Sequence, residues 1–379
     1  MDFDLSEEQR LLRESVEGLL TDAYDFEQRK RYMKEKGGWS KAVWDKLAEQ
    51  GLLGLPFAES EGGFGAGAVE TMIVMEALGR ALVLEPYLAT VVIGGGFLRH
   101  GGSSSQKAAH IPAIIDGSKT FAFAQLEKNS RYDLNDVTTT AKSKGQGWVI
   151  DGEKFVVING ENADGLFVTA RTKGGQRDNA GVGVFLVSGN AKGVSKKTYP
   201  TQDGLRAADV TFTGVEVGLD GAIGDPENAL GLVERVVDDA RTAMCAEAVG
   251  AMDESLKTTV EYLKTRRQFG VPIGSFQSLQ HRAADMFVAF EQARSMSMFA
   301  TMAAEFGANE RAKAVAAAKV QIGKSAKFIG QQSIQLHGGI GMTMEAKIGH
   351  YFKRLTMIEN TFGDAEYHLR RVSESGGLV

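Results

Sequence analysis

Two stretches in the last third of the chain carry groups that could bind a phosphate-bearing ligand. They are residues 266–270 and 335–343, and each combines hydrogen-bond donors with glycine. An arginine fork and exposed backbone N–H groups, here Arg266 and the Gly338-Gly339 turn, can hold a pyrophosphate. Phe269 offers an apolar face beside a flat ring system. Taken singly, the arginine also fits a solvated charge at a helix end, and the glycine pair fits an ordinary turn.

The elements that must position these groups are predicted to be helices. Asp225-Pro226 suits a helix start, and about forty residues follow it without an interior proline. The rest of the chain is rich in Ala, Met and Lys, which is typical of a helical bundle. Near the other end of the chain, Ser6 predicts a helix start, and a helical pattern continues to about Asp116.

Between these helical regions the chain changes to short β-rich runs separated by Gly, Asn and Asp. This pattern predicts a compact antiparallel β domain. The predicted strands are residues 121–126, 137–142, 147–150, 154–158, 165–171, 183–187 and 208–217. The order of helices, β domain and helices gives an α+β fold. The predicted domains are residues 1–118, 119–223 and 224–379.

The composition excludes several classes of protein. Of the 379 residues 43% are apolar, and the net charge of −5 provides no basic surface for nucleic acid. The single cysteine, Cys245, excludes an internal disulfide and a cysteine-only metal site, and its alanine-rich surroundings predict a buried thiol on a packed helix. Residues 81–98 form the most apolar stretch, but Glu85, Pro86 and three glycines argue against a membrane span. The acidic N-terminus lacks a signal-peptide pattern, so the chain is predicted to be cytoplasmic, with no metal site.

Three C-terminal strings together resemble signatures of the acyl-CoA dehydrogenase family. They are residues 266–273, 276–281 and 335–343, and the opening Phe3-x-Leu5-Ser6-x-Glu8-Gln9 is similar as well. The resemblance covers essentially the whole chain. It implies FAD as cofactor and an acyl-CoA as substrate. It also implies a helical N-terminal domain, a central β domain and a C-terminal helical bundle that carries the FAD and oligomer contacts.

The resemblance assigns roles to individual residues. In the family, the cofactor-binding groups of this bundle reach across a subunit interface to a flavin that is held mainly by the neighbouring subunit. The implied cofactor-binding set is Arg266, Phe269, Gln277, Gln335, Gly338 and Gly339. Arg241 corresponds to a helix arginine of the family and is assigned to the substrate.

The two positions at which the family carries its catalytic base hold no carboxylate in this chain. The family's reaction removes a weakly acidic proton next to the thioester, which requires a positioned carboxylate base. A gap-free alignment on the glycine pair puts Phe362 at the first base position, and the second position is Ala240. Asp364 is the nearest carboxylate to the first position and is the candidate base, while Asp239 is the candidate beside the second. Each also fits a solvated or structural charge.

The flavin-facing segment of the β domain departs from the family as well. A Thr-Glu-Pro-x-x-Gly-Ser-Asp stretch of the family corresponds to residues 126–133, which begin with Leu126-Glu127-Lys128. A tryptophan that covers the flavin corresponds to Val156, and a threonine that bonds the flavin N5 region corresponds to Ile158. Isoleucine donates no hydrogen bond, so this contact is predicted to be lost.

These departures predict a chain that needs a partner. The strings at residues 131–134 and 362–364 resemble family members that work as unlike pairs, such as the small subunit of pimeloyl-CoA dehydrogenase and actinobacterial steroid-CoA enzymes. The chain would then be the base-lacking half of a hetero-oligomer with a paralogous acyl-CoA dehydrogenase subunit and a shared FAD site, and electron-transfer flavoprotein would accept the electrons. Three alternatives stay open: a self-sufficient homo-oligomer that uses Asp364, a non-enzymatic scaffold or binding subunit, and a flavin oxidase or monooxygenase.

Overall fold

A computed structural model describes residues 5–377, so Phe3 of the opening string lies outside the described residues. Within them the chain divides into two compact units. The first, called the helical unit below, contains residues 5–31, Ala68–Val83 and residues 241–377. The second, called the sheet unit, is drawn from Tyr32–Gly67 and Leu84–Ala240. The three domain boundaries expected from the sequence stay a prediction.

The first third of the described chain is helical, as the sequence predicts. Its first helix starts at a reciprocal cap: the Ser6 hydroxyl accepts from the Gln9 N–H at 3.2 Å, and the Gln9 side chain accepts from the Ser6 N–H at 3.1 Å. The predicted helix start at Ser6 is thereby confirmed. The α-helices are α1 (Glu7–Ala23), α2 (Phe26–Tyr32), α3 (Lys41–Glu49), α4 (Ala68–Ala81), α5 (Gly95–Gly101) and α6 (Ser104–Ile115).

The most apolar stretch of the sequence forms an irregular buried helix. A π-helical segment, Leu88–Gly94, leads directly into α5. A Cβ at Gly95 would lie 2.7 Å from the Phe57 ring, so glycine is required for this close packing. Across the described residues 5–377, no helix has the length and apolarity that a membrane span needs.

The middle of the chain forms one sheet in the sheet unit. Its strands are β1 (Phe121–Ala124), β2 (Thr140–Lys144), β3 (Gly147–Ile158), β4 (Gly165–Arg171), β5 (Val182–Ser188), β6 (Val194–Pro200), β7 (Arg206–Gly218) and β8 (Ala222–Ile223). The strand order is β6-β7-β3-β2-β4-β5-β8, and β1 pairs with β4. Most pairs are antiparallel, as predicted, but β1 and β2 each run parallel to β4. The predicted bounds of β4 are confirmed, and two predicted strands are joined in β3.

The last third returns to helices. They are α7 (Leu230–Thr265), α8 (Gln277–Met302), α9 (Ala308–His337), α10 (Lys347–Asn360) and α11 (Ala365–Glu374), with a hairpin of β9 (Arg267–Gln268) and β10 (Val271–Pro272) between α7 and α8. The predicted helix start at Asp225 is wrong. Its carboxylate accepts from the Glu227 N–H at 2.9 Å, which closes a turn, and the helix begins only at Leu230. Cys245 is fully buried on α7, as predicted.

Two helices of the helical unit cross with their backbones in contact. A Cβ at Gly79 on α4 would lie 2.0 Å from the Glu247 carbonyl oxygen, and one at Gly250 on α7 would lie 1.8 Å from the Glu76 carbonyl oxygen. Only glycine fits at either position. The crossing therefore fixes α4 and α7 against each other.

Candidate functional site

The helix ends that carry Arg266 and Gly338 lie side by side in the helical unit. The Tyr262 ring on α7 stacks on the His337 ring on α9, with centroids 4.4 Å apart and an interplanar angle of 24°. Earlier in the same helices, the Ser255 and Ser333 hydroxyls are 2.9 Å apart. On both helices the chain runs from the serine contact to the ring contact, so α7 and α9 are parallel here. Their C-terminal ends therefore lie next to each other. The structure thus brings together the two stretches that were singled out in the sequence.

The donors at these helix ends are available to a ligand. Arg266, Gln277 and Gln335 are exposed, and within residues 5–377 their side chains form no hydrogen bond or ion pair. The neighbouring Arg267 differs, since its guanidinium donates to the Gly270 carbonyl at 3.1 Å. An exposed arginine beside two free amides can bind phosphate oxygens without breaking an internal bond.

The Gly338-Gly339 turn has a backbone that requires glycine. Gly338 follows the end of α9 with φ +64° and ψ −144°, a backbone conformation that residues other than glycine avoid. A Cβ added at Gly338 or Gly339 would meet no described atom within 4 Å, so both backbones face open space. This geometry lets a ligand approach the main chain closely.

Phe269 is presented at the tip of the β9–β10 hairpin. Its side chain is 91% exposed, and its φ is +53°. The ring contacts Phe276 edge-on, with centroids 6.1 Å apart. An exposed aromatic ring in a strained backbone conformation is typical of a binding surface. Together with the side chains of Arg266, Gln277 and Gln335, which have no partner among the described residues, it fits a ligand that carries phosphates and a flat ring, as FAD does.

The expected base position Phe362 lies in a rigid turn between α10 and α11. Phe362 has φ +56°, and its carbonyl oxygen accepts from Arg241 Nε at 2.9 Å and contacts His368 Nε2 at 3.1 Å. Burial and the charges of Arg241 and Lys319 lower the pKa of His368 to about 2, so its ring is neutral and donates to that carbonyl. Arg241, assigned to the substrate by resemblance, is buried and holds this turn. Its substrate contact stays a prediction.

Lys319 secures the same turn from α9. Its buried ammonium donates to three carbonyl oxygens, those of Ile358 at 2.7 Å, Glu359 at 3.2 Å and Thr361 at 3.1 Å. Burial lowers the pKa of Lys319 to about 8, so it remains a donor at neutral pH. A cation at the end of α10 also compensates the helix dipole.

Asp364, the candidate base, begins α11. Its carboxylate accepts from the Tyr367 N–H at 2.7 Å as the helix N-cap. An aspartate in this position satisfies a backbone donor that would otherwise lack a partner. The structure therefore gives Asp364 a structural function, and a catalytic role for it stays a prediction.

The second expected base position offers no free carboxylate in the sheet unit. Ala240 is fully buried, and the neighbouring Asp239 pairs with His100 Nε2 at 2.9 Å and with Arg235 Nε at 3.2 Å. Burial alone would raise the pKa of Asp239, but the hydrogen bond from His100 and the charge of Arg235 keep it below its usual value. Asp239 is therefore an ionised partner in an internal cluster.

In the sheet unit, the segment that corresponds to the family's flavin loop is internally paired. Glu127 lies 2.7 Å from the buried Lys154 ammonium, and it also accepts from the Thr138 hydroxyl and from the Thr139 N–H at 3.0 Å. Burial would raise the pKa of Glu127, but Lys154 and these hydrogen bonds bring it down to about 2. Burial lowers the pKa of Lys154 to about 8, so both partners are charged at neutral pH.

Val156, which corresponds to the flavin-covering tryptophan, is strained. It has φ +48° at an irregularity of β3, and its side chain is 40% exposed. A positive φ is a genuine outlier for a β-branched residue. The Val156 N–H donates to Asp209 at 3.1 Å, and the Tyr199 hydroxyl donates to the same carboxylate oxygen at 2.6 Å. Ile158, at the other altered position, is half-buried beside Ala207 in the ladder with β7.

Some residues that shape these sites were missed in the sequence. The stacking of Tyr262 on His337 joins residues far apart in the chain, and neither residue carries a local signal. The same holds for Asp209 at the Val156 backbone. Lys319 was missed too, because a lysine in a helix is ordinarily exposed and the three alanines before it do not mark a buried face.

Comparison with known proteins places these features in one family. Acyl-CoA dehydrogenase models match the chain as an N-terminal domain over residues 6–118, a middle domain over residues 122–215 and a C-terminal domain over residues 230–377. The chain is 28% identical over 371 residues to the probable acyl-CoA dehydrogenase YngJ of Bacillus subtilis (strain 168). The aligned region covers 97% of each of the two chains.

Solved structures give the same result. The ChsE4-ChsE5 complex from Mycobacterium tuberculosis has a chain that is 26% identical, with a TM-score of 0.89 and full coverage (100%) of both chains. The structure of PigA with FAD and proline is 26% identical, with a TM-score of 0.91 and the same 100% coverage. The chain belongs to the acyl-CoA dehydrogenase family of FAD-dependent oxidoreductases.

Proposed function

We propose that this chain is the base-lacking subunit of a hetero-oligomer that dehydrogenates an acyl-CoA thioester between its α and β carbons. The observation that carries the proposal is the turn between α10 and α11. There, Phe362 occupies the expected base position in a fixed conformation, and the nearest carboxylate, Asp364, is bound as a helix cap. A general base must be free to take the substrate's proton, so the base is expected from another subunit.

The contribution of this chain is cofactor binding. Arg266, Gln277 and Gln335 have free donors, and the Gly338-Gly339 turn allows close approach of a pyrophosphate. Phe269 supplies an apolar face for a flat ring. FAD, when bound, accepts the hydride in this family's reaction. The residues of this chain would bind and orient it in a site shared with the partner.

The partner is proposed to be a paralogous acyl-CoA dehydrogenase subunit. The similarity to a chain of the ChsE4-ChsE5 complex supports an assembly of unlike chains. The departures at residues 131–134 and 362–364 support the finer resemblance to heteromeric members of the family, including the small subunit of pimeloyl-CoA dehydrogenase. Electron-transfer flavoprotein is the proposed electron acceptor, and the cytoplasm the proposed location.

The test is the flavin content of the chain with and without its partner. We expect the chain purified alone to hold far less than one FAD, because Val156 and Ile158 leave its own β-domain segment without the ring contacts of the family. Co-expression with a paralogous subunit should give a yellow complex that an acyl-CoA bleaches. One FAD for each chain after gel filtration of the chain alone, together with bleaching by an acyl-CoA, would contradict the proposal.

The same measurements separate the alternatives. A self-sufficient homo-oligomer is favoured by the position of Asp364, only two residues beyond Phe362, and it requires stoichiometric flavin and turnover in the chain alone. A scaffold would bind no flavin in either preparation, which the free donors of Arg266 and Gln335 argue against. A flavin oxidase or monooxygenase would be recognised by rapid reoxidation of the reduced flavin by oxygen.

A further inference from the structure

A cavity of about 230 Å³ lies within the helical unit, between α1, α4, α7 and α8. Its apolar wall is formed by Leu5, Met72, Val249 and Met298. None of the residues that line it belongs to the cofactor-type segments or to the turn at Phe362. Two of its walls, α4 and α7, are fixed against each other by the glycine crossing described above.

The polar lining of this cavity is strongly cationic. Arg10, Arg13 and Arg294 contribute guanidiniums, and Glu76 contributes a carboxylate. The Glu76 carboxylate already bonds to Arg80 at 2.9 Å, outside the cavity lining. Among the described residues, the Arg294 guanidinium has a single distant ionic contact, with Glu291 at 3.8 Å. Arg10 and Arg13 form no side-chain hydrogen bond or ion pair with any residue in the range 5–377.

A buried hydroxyl also lines the cavity without a partner. Ser297 is 3% exposed, and its Oγ forms no hydrogen bond within the described chain. A buried hydroxyl without a partner costs free energy, and the large majority of such groups in proteins are bonded to protein or to ordered water. The missing partner of Ser297 is therefore expected inside the cavity that it lines.

We propose that this cavity binds a small amphipathic anion, a carboxylate that carries a short alkyl chain. The carboxylate would accept hydrogen bonds from Arg10 or Arg13 and from the Ser297 hydroxyl. The alkyl chain would lie against Met72 and Val249. An inorganic anion would leave the apolar wall unused, and an uncharged apolar molecule would leave the guanidiniums unused. The inference is independent of the proposed function.

The direct test is calorimetric titration of the full chain with hexanoate. For a ligand of eight heavy atoms we expect a Kd on the order of 1 mM. Hexanol tests the need for charge, and inorganic phosphate tests the need for an apolar body. Both should bind at least about tenfold more weakly, since each lacks one half of the recognition. No heat at ten times the expected Kd, or equal binding of hexanol or phosphate, would overturn the proposal.

Variants locate the binding. The double substitution Arg10→Gln and Arg13→Gln should weaken hexanoate binding at least about tenfold, because it removes the charged hydrogen bonds. Ser297→Ala should weaken it by a smaller factor without lowering Tm, since no bond to the described residues is lost. Arg370→Gln, an exposed arginine on α11, is the matched control and should leave Kd unchanged. Undiminished binding by the double variant, with its Tm retained, would show that hexanoate binds elsewhere.

Discussion

The two segments that correspond to the family's flavin-binding regions differ in what their polar groups already bind. At the ends of α7 and α9, the side chains of Arg266 and Gln335 are exposed and have no partner among residues 5–377. In the sheet unit, Glu127 and Lys154 are buried and satisfy each other. The first segment can therefore receive a ligand as it stands. The second would have to break a buried ion pair to offer the same charges.

The two residues with a strained backbone in these segments differ in the same respect. Phe269 and Val156 both have positive φ and exposed side chains. The Phe269 ring projects from a hairpin next to free donors, whereas Val156 lies above Asp209, whose carboxylate already accepts from Tyr199. A sequence that resembles a binding segment is therefore not sufficient for that segment to bind a ligand. What matters is whether the donors of the segment remain unbonded in the fold.

The largest effect is expected from breaking the buried pair of the sheet unit. Lys154→Met leaves the Glu127 carboxylate buried without a counter-charge. Such a loss costs about 3–5 kcal/mol of the free energy of unfolding. Urea denaturation followed by circular dichroism measures it.

The control is a pair in the same sheet that differs mainly in exposure. Lys144 lies 2.7 Å from Glu216, with side chains 66% and 72% exposed. Lys144→Met should lower the free energy of unfolding far less than Lys154→Met, because solvent screens the exposed pair. Equal losses in the free energy of unfolding for the two variants would mean that the buried pair does not hold this segment together. The sheet-unit segment would then not differ from the helix ends in the way described.

Flavin binding tests whether the unbonded Arg266 side chain of the helical unit holds the cofactor. Arg266→Ala should weaken FAD binding by the co-expressed complex about 10- to 100-fold, the value of a charged hydrogen bond. Flavin fluorescence and gel filtration measure the loss, and circular dichroism shows that the fold is kept. Arg267→Ala is the matched control, since that guanidinium bonds within its own hairpin. Full flavin content in the Arg266 variant would place the cofactor elsewhere.

A smaller effect separates a helix cap from a base at Asp364. Asp364→Ala should lower the free energy of unfolding by about 1 kcal/mol, whereas Asp364→Asn should cost little, because asparagine caps a helix equally well. In the complex, either change should lower turnover by less than about tenfold, since loss of a general base costs about 100- to 10,000-fold. Glu366→Gln, two residues further along in the first turn of α11, is the control. A thousandfold loss in Asp364→Asn with flavin still bound would make this chain a self-sufficient dehydrogenase.

The smallest effect concerns the strain at Val156. Val156→Asn should raise the free energy of unfolding by about 0.5–1 kcal/mol, because asparagine tolerates positive φ better than a β-branched residue. Thermal denaturation of the isolated chain measures the change. Val288, which is 54% exposed on α8, provides the comparison, and Val288→Asn should stay within about 0.5 kcal/mol of the parent. A loss of stability at Val156 would mean that its side-chain contacts outweigh the strain.

Much of the fold could be predicted from the sequence because the patterns that specify its elements lie within a few neighbouring residues. The cap of α1 needs only Ser6 and Gln9, three residues apart, and the bounds of β4 follow from an apolar run between turn residues. β6 was missed because Lys196 and Lys197 interrupt any apolar pattern. It is a strand because β7 supplies hydrogen-bond partners along its length.

The sequence alone determined the α+β order, the helix-start signal at Ser6, the buried position of Cys245 and the stretches with cofactor-type residues. The first three follow from neighbours in the chain or from residue type, and the last follows from the resemblance to acyl-CoA dehydrogenases. Only the tertiary structure decided which of the charged groups are free. Glu127 meets Lys154 across 27 residues, and Arg241 meets the Phe362 carbonyl across 121 residues. Such bonds depend on the packing of whole elements, and packing has no signature in a local sequence pattern.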